Sequence, residues 1–209
     1  MKILALELST AHGSIAWLEG NVDRSLREWP NDRKHSGLFF ENLRDITKQF
    51  GAAEKIIVGL GPGSYAGTRI AISAAIGLQA VSNSRLLGLA SICAMESNNE
   101  EYCVIGDARR QSFFFAHVRK HELIEGPILF GETELKSKLA EFDEGTPIFS
   151  SDNFTRFERV VLRYPSALLL AQLGQDEKRS FSLPPLEPIY LREPHITAPR
   201  SVVKSTIAR

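Results

Sequence analysis

The feature that most constrains this chain is an order of elements that occurs twice. "KILALEL", "SIAWLEG" and "VDRSLREW" read as three successive strands, with Gly20-Asn21 as a tight turn between the second and third. Strands joined this closely form an antiparallel meander. "HSGLFFENLRDITKQF" then sets Leu38, Phe39, Leu43, Ile46 and Phe50 on one helical face, and Gly51 can stop that helix. "KIIVGL" is apolar at every other position and its neighbours alike, as a strand covered on both faces must be. A second helix is expected over Gly67–Val81, and "RLLGLAS" reads as a strand entering a short helix.

From Tyr102 the order begins again. "YCVIGDA", "SFFFAHV" and a stretch near "ELIEG" are strands, "ETELKSKLAEF" is helical, and "TPIFSS" is a short strand. The halves share pattern, not identity. "FTRFERVVLRY" and "SALLLAQLG" read as two further helical pieces. The expected class is α/β, with one lobe over residues 1–100 and a smaller one over 101–209. The latter closes on an extended "LPPLEPIYL" and a basic tail with Arg192, Arg200, Lys204 and Arg209 against Glu193.

Between the first half's last two strands lies "GLGPGSYAGTRI". Glycines at 61, 63 and 67 permit positive φ or close backbone approach, Pro62 stiffens the bend, and Ser64 can cap the helix that follows. A helix start of this kind can hold an anion. Yet GxxxxGK[ST] is absent, and GxGxxG fails because Ala66 stands where its third glycine belongs. No acid ends the next strand, so a dinucleotide site lacks its ribose partner. Glu7 and Asp107 end the strands that open the two halves. Acid-ended strands opening both halves, with a glycine turn, are the layout of a two-lobed ATPase-like fold. Glu7, Ser9, Gly61, Gly63 and Ser64 are the candidates should a magnesium–phosphate group bind.

Other chemistries have less support. His117 and His121 flank a strand, where four residues span ~13 Å, too far to share one metal ion. No GxSxG or HExxH appears. Cys93 and Cys103 have neither CxxC nor metal spacing and read as unpaired structural thiols. With no signal peptide, they suggest a reducing cytoplasm. Formal net charge is zero, a poor basis for binding nucleic acid unaided. No apolar run approaches the ~20 residues of a membrane helix.

"ILALELSTAHGSIAW", "HSGLFFENL", "GLGPGSYAGTRIAISAAIGLQA", "VIGDARRQSFFFA" and "PIYLREPHIT" fall in the order seen in the TsaB (YeaZ) family. The chain resembles that family over nearly its whole length. The resemblance implies two RNase H-like lobes of the actin/Hsp70/sugar-kinase type. It implies a non-catalytic subunit in synthesis of threonylcarbamoyladenosine on tRNA, paired with a TsaD-type paralogue and joined by a TsaE-type ATPase. ATP and metal are then expected on the partner subunits, with no cofactor here, and tRNA is met through the complex. The pairing surface it implies is the first two helices, about His35–Phe50 and Gly67–Val81. Candidate contacts are His35, Leu38, Phe39, Leu43, Arg69, Ala71, Ala74, Ala75 and Leu78, through which a lone chain could also form a homodimer. The competing readings are an ATP-dependent kinase or acyl-phosphate enzyme of this fold, and a peptidase. Three departures weaken a polar pocket: Glu7-Leu8-Ser9 where the family favours Asp-Thr-Ser, Ala66 in place of a threonine, and Ser112 and Phe114 where a Glu and a Tyr are frequent.

Overall fold

The structure, a computed structural model, describes residues 1–20, 23–31 and 37–192. His35 and the tail from Glu193 onward lie outside the described residues.

The first sheet contains β1 (Lys2–Glu7), β2 (His12–Glu19), β3 (Asp23–Pro30), β4 (Lys55–Gly59) and β5 (Arg85–Leu89), in the order β3-β2-β1-β4-β5. β1, β2 and β3 pair antiparallel, and β1, β4 and β5 pair parallel. The period of two sorts its side chains between two cores. Leu4, Leu6, Ile15, Trp17, Ile56 and Val58 face α1 (Gly37–Phe50) and α2 (Tyr65–Ser82). Ile3, Ala5, Ala16, Leu18 and Ile57 face the other way.

The second sheet repeats this topology. It contains β6 (Glu101–Asp107), β7 (Phe113–Arg119), β8 (Glu122–Phe130), β9 (Ile148–Ser150) and β10 (Val160–Leu162). Its order, β8-β7-β6-β9-β10, matches the first strand for strand. α3 (Glu132–Leu139) covers one face with Leu135 and Leu139, which pack on Cys103, Ile105 and Phe115. The opposite face, with Tyr102, Val104 and Phe114, meets Ile92, Cys93 and Met95 in and after the 3-10 turn Ser91–Ala94. Each lobe is thus a mixed sheet with helices against it, and the doubled pattern read from the sequence is a doubled topology.

Two expectations need correction. The chain does not stay in its second half after residue 101. α4 (Ala167–Leu173) returns to the first sheet and fills its second face with Ala167, Leu170 and Ala171. Ser14 Oγ accepts a bond from the Ala167 amide at 3.0 Å. Beyond it Ser182 bridges Gly88, and the Ile189 amide bonds to Leu60 O at 2.8 Å. Ala5 and Ala16 leave a shallow face that needs such a cover, and among the described residues α1 and α2 lie on the other face while the 3-10 turn contributes Ala94. The second correction is "FTRFERVVLRY". Instead of a helix it gives a loop and β10. Arg159 sits at φ 64°, which breaks a helix, and the β-branched Val160 and Val161 pair with β9. Phe157 is buried edge-on to Phe113, with ring centroids 4.9 Å apart.

Candidate functional site

The glycine turn lies against the loop after β1 with almost no clearance. A Cβ on Gly63 would overlap the carbonyl oxygen of Ser9, and one on Gly67 that of Leu8. Gly61 adopts φ +86° ahead of a cis Gly61-Pro62 bond. Its amides are largely committed inside the protein. The Gly61 amide donates to Ser91 Oγ at 2.9 Å, Ser64 to Ser9 O at 2.5 Å, and Gly67 to Ser64 Oγ at 3.2 Å. Glycine is required here for backbone-to-backbone contact, and the consequence is a fixed position for α2.

Between the lobes lies a cleft of about 470 Å³, lined in part by Ser9, Thr10, Gly63, Ser64, Asp107 and Asp152. Of the five nucleotide candidates, Ser9, Gly63 and Ser64 border this cleft; Glu7 and Gly61 do not. Glu7 is fully buried and turned inward over Gly59, where any Cβ would overlap its carboxyl. Oε1 accepts the Ser9 amide at 2.6 Å, and Oε2 has no hydrogen-bond partner among the described residues. Burial pushes the Glu7 carboxyl above its usual range. The Ser9 hydroxyl and amide and the Ser91 hydroxyl pull the other way without overcoming it. A longer acid at this strand end therefore occupies the interior. Asp107, its counterpart on β6, is exposed at the cleft, and its carboxylate accepts the Arg109 amide at 2.7 Å.

A raised carboxyl makes folding favour the neutral acid. Its stabilising contribution is complete below the ordinary carboxylate range and is lost as pH rises through the raised folded value. Glu7→Gln is therefore expected to melt higher than the parent chain at pH 8, by on the order of 1–3 kcal/mol, and to lose that advantage near pH 4. Melting curves at the two pH values check this; an equal gap at both would show that ionisation of Glu7 is not the cause.

The other titratable candidates are structural. His117 Nε2 lies 2.6 Å from Glu101 Oε1, and His121 Nδ1 3.0 Å from the Cys93 carbonyl. Among the described residues no group of three or more His, Cys, Asp or Glu is placed to hold a metal. Cys93 and Cys103 are free and buried, and burial raises both thiols to about 12. No helix among the described residues is long and apolar enough to cross a membrane.

The expected pairing stripe is largely the chain's own core. Phe39, Leu43, Ala71 and Ala75 are buried under α1 and α2 against the first sheet. Ala74 and Leu78 are half-buried at its margin. Only Leu38 and Arg69 of the described candidates are exposed. The exposed face of α2 runs instead through Ala66, Arg69, Ser73, Ile76, Gly77 and Ala80. On α1 it includes Leu38 and Phe40, at 42% and 51% exposure. α2 is rich in small and apolar residues all round, so periodicity alone could not choose its buried side. Arg69 and Ser73, four apart, were the signal that marks the solvent side.

A family model described as "TsaD: tRNA N6-adenosine threonylcarbamoyltransferase" matches residues 32–190. The chain belongs to the TsaD family. Its fold is also that of two solved structures from Pseudomonas aeruginosa. One is YeaZ, at TM-score 0.71 and 20% identity, with 91% of this chain and 99% of that one covered. The other, described as an uncharacterized protein with similarity to peptidase YEAZ, gives TM-score 0.70, 20% identity and the same coverage. No curated protein sequence matches the chain. Membership in the TsaD family, with the YeaZ fold over nearly the whole length, supports the TsaB (YeaZ) resemblance carried by the motifs. The fold class is the expected α/β one, two lobes each built on a five-stranded mixed sheet, and it is the fold of YeaZ.

Proposed function

We propose that this chain is the non-catalytic pairing subunit of a complex that makes N6-threonylcarbamoyladenosine on tRNA. Its partner is a TsaD-type transferase, a TsaE-type ATPase joins the pair, and ATP and metal belong to those subunits. The observation that carries this reading is the outer face of α1 and α2. Leu38, Phe40 and Ile76 are large apolar side chains open to solvent. Beside Ile76 the surface of α2 is Ala66, Ser73, Gly77 and Ala80. Small residues let a facing helix approach to the short end of the ~8–10 Å interaxial range. Both helices start at the carboxyl end of the parallel strands, so their first turns share one end of the lobe. A two-fold axis through this face would pair it with itself, which makes a homodimer the expected state when no partner is present.

The inward turn of Glu7 supports the same reading over a kinase, which needs that acid in the cleft. Titration calorimetry with ATP and magnesium is expected to show no tight binding to the isolated chain; a low-micromolar constant, roughly −8 kcal/mol, would contradict this. A serine or cysteine peptidase of the triad type needs a histidine on its nucleophile. The described histidines at 12, 117 and 121 bond instead to Glu28, Glu101 and a backbone carbonyl. The test is reconstitution. The modified nucleoside should form on tRNA only when this chain joins TsaD-type and TsaE-type proteins. ATP turnover or peptide cleavage by the chain alone would overturn the proposal.

A further inference from the structure

A second cavity, of about 530 Å³, opens beside the first turn of α2. Its wall includes Tyr65 from α2, Arg109 and Arg110 from the turn between β6 and β7, and Tyr190 and Arg192 from the returning segment. Leu38, Phe40 and Ile76, the large apolar residues of the pairing face, do not line this cavity. Tyr65 and Tyr190 are 50% and 43% exposed, with ring centroids 5.6 Å apart and planes inclined at 40°. The Arg69 guanidinium lies 5.0 Å over the Tyr65 ring and donates to its hydroxyl.

Elsewhere Arg159 and Arg179 bond to backbone carbonyls and Arg163 lies over the Phe149 ring. Arg44, Arg85, Arg119 and Arg156 each meet a carboxylate. Among the described residues, no carboxylate pairs with the guanidinium of Arg69, Arg109, Arg110 or Arg192. The nearby acids are Asp107, whose Oδ1 accepts the Arg109 amide, and Glu187, whose charge acts on Tyr190. Arg109, Arg110 and Gln111 all hold positive φ, at 65°, 54° and 59°. Three consecutive non-glycine residues in that region form a strained turn, and such strain collects where a chain meets ligands.

We propose that this cavity binds an unstacked nucleotide of single-stranded RNA, with the base on the Tyr65–Tyr190 rings and the flanking phosphates on Arg109, Arg110 and Arg192. Exposed aromatic faces beside unpaired arginines are the composition of single-strand binding sites, where bases stack and the backbone follows the cationic groups. An acidic peptide would use the arginines but leave the tyrosine faces without a role. The chain's zero net charge is no obstacle, because the positive charge is local. The proposal rests on the reading of the chain as a subunit that works on tRNA, and it gives that subunit a direct RNA contact.

The test is fluorescence anisotropy of a labelled single-stranded RNA of about 12 nucleotides against the intact chain at low salt. Binding should weaken as salt rises. Tyr190→Ala and the double change Arg109→Glu with Arg110→Glu should each weaken it by about tenfold or more, and Tyr190→Phe should not. An abasic strand of equal length should bind the parent chain as poorly as RNA binds Tyr190→Ala. Tyr190 is an exposed side chain beside the backbone anchor at Ile189, and the double variant lies on another element, so misfolding of one leaves the other to decide. Parental affinity in both variants would overturn the proposal. So would displacement of RNA by poly-glutamate, or by free AMP at equal nucleotide concentration. Capture of a TsaD-type protein is scored on the same variants. Intact capture with no RNA binding by the parent chain sinks this site alone, whereas RNA binding without capture sinks the pairing role and leaves the site standing.

Discussion

Ala75→Arg is expected to abolish folding of the first lobe, while Ile76→Arg, one residue on, folds as the parent chain does. Ala75 is wholly buried, on the side of α2 that packs against the first sheet. An arginine there brings a charge with no partner and a side chain for which no volume exists. Breaking charge balance in a core costs about 3–5 kcal/mol, and overpacking adds about 1–3. Their sum matches much of the roughly 5–15 kcal/mol by which a domain is stable. Ile76 is half exposed, and an exposed substitution moves stability by about 0.5 kcal/mol or less. Circular dichroism melts of the two variants decide the matter. A cooperative, parent-like melt for Ala75→Arg would mean that the buried stripe is surface after all.

Gly67→Ala is expected to be nearly as damaging, against the usual trend for helices. An alanine in a helix is ordinarily better than glycine by about 1 kcal/mol. Here the added methyl would overlap the Leu8 carbonyl oxygen, a backbone atom that no rotamer can move aside. Relief requires shifting α2 from the loop after β1, which disturbs the Ser64 cap and the bond from the Ser64 amide to Ser9 O. The overlap should win, for a net loss of about 3 kcal/mol or more. Gly77 supplies the contrast within the same helix. It is exposed, and a Cβ there meets nothing within 4 Å. Gly77→Ala should therefore gain up to ~1 kcal/mol in the isolated chain. Denaturant titrations of both variants check the pair; equal stability of Gly67→Ala and the parent would refute the close-contact account of the turn.

These contrasts also show what was legible in the sequence. β1, β4 and β6 could be read because strands buried on both faces must be apolar along their middles, as Ile56, Ile57 and Val58 are in β4. The repeated order of elements followed from turn spacing and helix periodicity, both local signals, whereas the strand order of each sheet is set by tertiary pairing. α4 was legible as a helix but not as a helix of the first lobe, since only the shallow face left by Ala5 and Ala16 selects its position. Val160–Leu162 was misread because its strand depends on pairing with β9, a tertiary contact. The glycines of the turn were visible, but a phosphate and a neighbouring backbone demand the same absence of a side chain. Glu7 was found as a strand-end acid, and its inward course depends on the space left by Gly59, on a separate strand.

The central claim is that the chain acts by pairing through the outer face of α1 and α2. The direct measurement is capture of a TsaD-type protein from the source cell by the tagged parent chain and by Ile76→Arg. The account predicts that the parent retains such a protein in stoichiometric amount and that Ile76→Arg, folded by circular dichroism, retains none. Equal capture by the two chains, or none by the parent, would contradict it.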